Sequence, residues 1–69
     1  MNSSELIRKI KKAGFVFDRH AKGSHEIWFH PTYKKRTVIP HHPGKEIPQG
    51  ILRAIIRQIG LSKKSFDQL

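Results

Sequence analysis

Apolar positions recur along this chain in two rhythms, and each change of rhythm marks the edge of an element. Leu6, Ile7, Ile10 and Ala13 share one face at helical spacing, while Arg8, Lys9, Lys11 and Lys12 fill the rest of the circumference. Ser3 or Ser4 is placed to cap this helix, Glu5 suits its positive end, and Gly14 supplies the left-handed residue that stops it. The rhythm then shortens. Phe15 to His20 reads as a strand with Phe15 and Phe17 on one side, Ala21 to Ser24 as a turn, and His25 to His30 as a second strand closed by Pro31. Pro31 to Lys35 connects to a third strand, Arg36 to Ile39, which Pro40 ends. After a loop from His41 to Ile47, Pro48 opens a second helix whose stripe is Ile51, Leu52, Ile55, Ile56 and Ile59 and whose stop is Gly60. Leu61 folds back, and Ser62 caps a short C-terminal turn carrying Phe66 and Leu69.

Three strands joined by short connections form most simply an antiparallel meander. Both helices must bury one face and the sheet needs a cover, so the expected architecture is α+β: helices in one layer on one face of a three-stranded sheet, residues 1–69 making a single domain. Alternation in the middle strand sets His25, Ile27 and Phe29 against Ser24, Glu26, Trp28 and His30, and neither set is cleanly apolar. Trp28 is the largest apolar side chain, so it is expected to face the core and to turn His25 to the open face; a bulge near Gly23 would reverse this.

Composition narrows the partners. At 69 residues the chain cannot enclose a large active site, so chemistry must take place at a surface or shallow groove on a substrate gripped from outside. Fourteen Lys and Arg against five Asp and Glu give a formal charge of +9, which attracts phosphate backbones or anionic membranes. No apolar stretch nears the ~20 residues that span a bilayer, and no helix pairs a bulky aromatic stripe with its lysines, which argues against a membrane partner. The N-terminus passes from Met1 into a polar cap and a charged helix without the apolar run of a signal peptide, so a cytoplasmic location is expected. The absence of cysteine removes disulfides and thiolate metal ligands together.

Five histidines raise the question of a metal. His20, His25 and His30 are each five apart, a step that reverses the face of a strand, and the adjacent His41 and His42 point oppositely if extended. The pattern argues for no metal and no other cofactor. For a strand histidine the plain reading is a hydrogen-bonded or merely exposed side chain, and for His30, followed by Pro31, that reading means holding the turn. Phe15, Phe17 and Trp28 are better spent on the core than as platforms for bases.

The order helix, strand, Gly23-Ser24-His25, strand, His30-Pro31, then an extended stretch to Pro40-His41 and a helix with Leu52-Arg53-Ala54-Ile55-Ile56 before Gly60-Leu61, resembles the HicA toxins of bacterial toxin–antitoxin pairs. The resemblance runs from Ser3 to Leu61. It implies a double-stranded-RNA-binding-domain-like (dsRBD-like) fold and a prokaryotic ribonuclease that cuts mRNA without a metal. Its Gly-Ser-His histidine, matching His25, is needed for toxicity, and a neighbouring HicB-type antitoxin masks the toxin. This reverses the weighting for His25.

RNA carries its own nucleophile, so a metal-free ribonuclease needs a base for the 2′-hydroxyl, positive charge near the phosphate and ideally an acid for the leaving oxygen. His25 is the candidate base, with Lys22 beside it and Lys34, Lys35 and Arg36 at the strand ends as candidate RNA-binding cations. The acid, among His30, His41 and the lysines, stays open at this level. A small acidic antitoxin would neutralise the basic face and cover His25. The alternative is a non-catalytic module gripping RNA by shape and charge. Either way the charge predicts that RNA retention by the catalytically silenced His25→Ala protein weakens steeply with salt, the logarithmic slope growing by roughly 0.7 per phosphate neutralised on single strands. A slope near zero in filter-binding titrations would contradict it.

Overall fold

A computed structural model of the chain describes residues 1–42 and 44–69, leaving Pro43, within the predicted loop, outside the described residues. The elements follow the expected order: α1 (Ser3–Lys12), β1 (Val16–His20), β2 (His25–His30), β3 (Lys35–Pro40), α2 (Gln49–Ile59) and α3 (Lys63–Asp67). The strands form one antiparallel sheet in the order β1-β2-β3. With α1, α2 and α3 packed on one side, this is the α+β layering read from the sequence, and it is consistent with the dsRBD-like fold that the resemblance implies.

Trp28 decides which side of the sheet the helices cover. Its side chain is buried together with Leu6 and Ile10 of α1, Ile55, Ile56 and Ile59 of α2, Ile39 of β3 and Phe66 of α3. Alternation then sends Glu26 and His30 to the same buried side and His25 to the open one. The sheet's irregularity lies elsewhere than near Gly23: a bulge at Asp18 in β1 shifts the register between Phe17↔Trp28 and Arg19↔Ile27, leaving β2 regular. β1 overhangs the helical layer as an edge strand. Phe15, ahead of it, is buried, whereas Phe17 packs edge-on against Trp28 with nearly half its surface exposed.

Capping differs from expectation. Asn2, not Ser3 or Ser4, is the N-cap of α1, its side chain accepting from the Glu5 N–H at 2.9 Å. Ser3 is one residue inside, buried, and its hydroxyl donates to the Pro40 carbonyl at 2.6 Å, tying α1 to the end of β3. Gly14 takes the positive φ of 101° that ends α1, and it also makes room: a Cβ there would come within 2.5 Å of the His30 Nε2. In α2 the predicted stripe holds at Ile55, Ile56 and Ile59, but Ile51 is 44% exposed.

The C-terminal turn belongs to the core. Ser62 caps α3 by accepting from the Ser65 N–H at 3.1 Å, and Phe66 is only 1% exposed. Lys9 of α1 lies 5.0 Å from the Phe66 ring centroid and donates to the Phe66 carbonyl at 3.2 Å. Truncating a buried Phe costs about 3–5 kcal/mol, as much as the whole net stability of about 3–5 kcal/mol that a core this size supplies. Phe66→Ala is therefore expected to be largely unfolded without denaturant by circular dichroism. A variant keeping a cooperative transition close to wild type would show that α3 is not part of the core.

Candidate active site

The turn Ala21–Ser24 delivers His25 to the first position of β2, with Gly23 at φ 71° and the Ala21 N–H donating to the His25 carbonyl at 2.8 Å. The imidazole is exposed, and its Nδ1 lies 3.1 Å from the Lys22 carbonyl oxygen. A carbonyl only accepts, so Nδ1 carries the hydrogen and the neutral ring keeps its lone pair on Nε2, facing solvent. The contact fixes ring orientation and tautomer together. What remains is an acceptor nitrogen that has no partner among the described residues, at a strand end.

The other predicted residues lie at graded distances. Lys22 sits in the same turn, its side chain exposed. Arg36 pairs with Phe29 on the open face, its guanidinium 4.9 Å from the Phe29 centroid and its Nε 3.8 Å from Asp18 Oδ2, which also accepts from Arg19 at 2.9 Å. Lys35 pairs with His30, and Lys34, with φ 57°, closes the turn before it. That end of β2 is five residues from His25, roughly 17 Å at the usual rise of about 3.3 Å. A single phosphate cannot bridge them; a strand of RNA can.

Register places Pro40 opposite His25, and this brings in the loop after β3. The His41 N–H donates to the Ser24 carbonyl at 3.0 Å, carrying the ladder one residue past the strand. A cavity of about 280 Å³ opens beside it, lined by His25, His42, Lys45 and Glu46 with apolar walls that include Pro40 and Ile51. Glu46 pairs with the amino group of Met1, which also accepts through its carbonyl from the Ile47 N–H at 2.9 Å. Sequence reasoning weighed His42 only as a metal ligand and gave Lys45 no role. The available signal was the meander itself, since short connections put the residues after Pro40 beside those before His25.

The histidines now separate. His30 is buried with both nitrogens engaged, Nε2 donating to the Ala13 carbonyl at 3.1 Å and Nδ1 accepting from the Tyr33 N–H at 3.2 Å, so it holds the turn and moves no proton. His41 Nδ1 lies 2.7 Å from Glu26 Oε2, while Trp28 Nε1 donates to Glu26 Oε1 at 3.1 Å. Burial pushes the Glu26 carboxyl up, but the hydrogen bonds from His41 and Trp28, with the nearby positive charge of His41 and His20, outweigh it and hold the group below its ordinary range. Among the described residues no three His, Asp or Glu side chains are grouped as a metal site would require.

The model for the HicA toxin of bacterial toxin–antitoxin systems matches residues 3–61. This chain belongs to the HicA toxin family. A relative from Pseudomonas fluorescens (strain Pf0-1), named "Probable mRNA interferase HicA", is 39% identical over 62 residues, covering 88% of this chain and 97% of the relative. The matched span agrees with the resemblance read from Ser3 to Leu61. No described helix of this HicA-family chain is long and apolar enough to cross a membrane.

Because the Glu26 carboxyl is depressed in the folded state, its contribution to stability is full above the unfolded value and is lost as pH falls through the lower folded value. The expected melting temperature drops on the acid side of the ordinary carboxylate range. Glu26→Gln should melt lower at neutral pH and show a shallower acid-side decline; an unchanged acid slope in a pH series of thermal melts would contradict the assignment.

Proposed function

We propose that this chain is an endoribonuclease toxin that cuts mRNA, with His25 as general base and neither metal nor cofactor in the reaction. Family membership supports the toxin activity, and the name of the Pseudomonas relative supports mRNA as substrate. The observation that carries the base assignment is the exposed Nε2 of His25, left with its lone pair by the Nδ1 contact to the Lys22 carbonyl. Nε2 takes the proton of a ribose 2′-hydroxyl, and the resulting alkoxide attacks the adjacent phosphorus. DNA has no such hydroxyl and is bound without being cut.

Lys22 attracts the scissile phosphate, while Arg36 along the sheet and Lys34 and Lys35 at its far end hold phosphates further along the strand. Side chains mobile at a surface suit this task, which requires charge rather than fixed geometry. The open face also carries Val16 and Val38, both exposed, beside the half-buried Ile27 and Phe29. A HicB-type antitoxin, a small acidic protein, fits this combination by covering the apolar strip, neutralising the cations and masking His25. The toxin then acts where mRNA is, in the prokaryotic cytoplasm.

Incubated with RNA in EDTA, the wild-type protein is expected to leave 2′,3′-cyclic phosphate ends. His25→Ala should lose about 10²–10⁴-fold in cleavage rate, the usual worth of a positioned base, while still retarding RNA on a gel. If wild type and variant both retard RNA and leave it intact, the chain is a non-catalytic RNA-binding module.

A further inference from the structure

A base at His25 covers half of the proton traffic. When the P–O5′ bond breaks, the departing alkoxide needs a proton, and the donor has to stand across the phosphate from the base. We propose that His42 is that donor, and that Lys45 supplies positive charge to the cavity both imidazoles line; this rests on the reading of His25 as base.

The geometry comes from strand register. His25 pairs with Pro40, and the His41 N–H donates to the Ser24 carbonyl, so the chain leaving β3 carries His42 past the mouth of β2. Both imidazoles, with Lys45, line one cavity of about 280 Å³, at the small end of ligand sites and suited to a single nucleotide unit. Ser24 Oγ lies 3.3 Å from each ring nitrogen of His42, so this contact commits neither nitrogen to a short bond.

The other candidates are occupied. His30 is sealed between Ala13 and Tyr33, and His41 is spent on Glu26. The Glu26–His41 pair is a positioning device: buried against β2, it pins the residue before His42. Glu46, the remaining charged group of the cavity, is neutralised by the Met1 amino group and does not repel the phosphate. The step balances. His25 Nε2 takes the 2′-hydroxyl proton as the O2′–P bond forms, the P–O5′ bond breaks, and O5′ takes the proton of protonated His42, leaving a 2′,3′-cyclic phosphate and a 5′-hydroxyl. Solvent exchange resets both rings.

The test uses an RNA whose mapped cleavage site carries sulfur in place of the bridging 5′-oxygen, because a thiolate leaves without being protonated. His42→Ala is expected to cut ordinary RNA about 10²–10⁴-fold more slowly than wild type and the sulfur-bridged RNA within about tenfold of wild type, with the alkaline limb of its pH–rate profile flattened. His25→Ala should be slow on both substrates. His42 is exposed, so the variant should keep the wild-type melting temperature, and any folding or binding defect would slow both substrates alike. Equal slowing on the two substrates, or no slowing on either, would overturn His42 as the acid. Full activity of His25→Ala would instead overturn the base, leaving the sulfur comparison to judge His42 on its own.

Discussion

Burial of Trp28 is the constraint on which the rest of the molecule depends. One indole under the helical layer sets the phase of β2, and because side chains alternate, that phase assigns every neighbour. Glu26 and His30 must go inside with it and find partners there; His25 must come out. A one-residue slip would expose the indole and bury the imidazole, so the same interaction that stabilises the sheet keeps the proposed base in solvent. The bulge in this sheet falls in β1, on the strand whose slippage the site can tolerate.

Polar groups inside so small a core are held as clips between elements. Ser3 joins α1 to β3, Thr37 donates to Gln58 at 2.7 Å and joins β3 to α2, His30 joins β2 to the end of α1, and Glu26 joins β2 to the loop after β3. Each such bond contributes only about 0.5–1.5 kcal/mol net, but a buried group left unpaired costs about 1–3 kcal/mol. Among the described residues no buried side-chain nitrogen or oxygen lacks a partner. The clips thus disfavour alternative packings more than they deepen the native one, and two of the four, Ser3 with Pro40 and Glu26 with His41, sit at the strand ends beside the cavity.

Charge follows a different logic from the core. The cations are mostly exposed and spread over the three helices, the outer strands and the turns, with Asp18 and Asp67 balancing only a few of them. Long-range attraction to a polyanion needs no single geometry, whereas proton transfer needs one. This is why the catalytic proposal falls on two histidines at paired strand ends, where backbone hydrogen bonds fix positions, and the binding proposal on lysines and arginines that need not be fixed.

Much of this was legible in the sequence because the responsible forces are local. Helical and strand periods, Gly14 and Gly60 as stops, Pro40 and Pro48 as boundaries and the size of Trp28 each act over a few residues, so the element order, the covered face and the outward turn of His25 could be read along the chain. The Gly-Ser-His triplet in its setting carried the family. Other features depended on which residues meet across the fold. Asn2 took the cap because Ser3 found Pro40, Ile51 was left exposed in the cavity wall, and the Glu26–His41 pair and the approach of His42 and Lys45 to His25 follow from the β2–β3 register. Pattern along a chain reports which face a residue occupies; only closure of the sheet decides what stands opposite it.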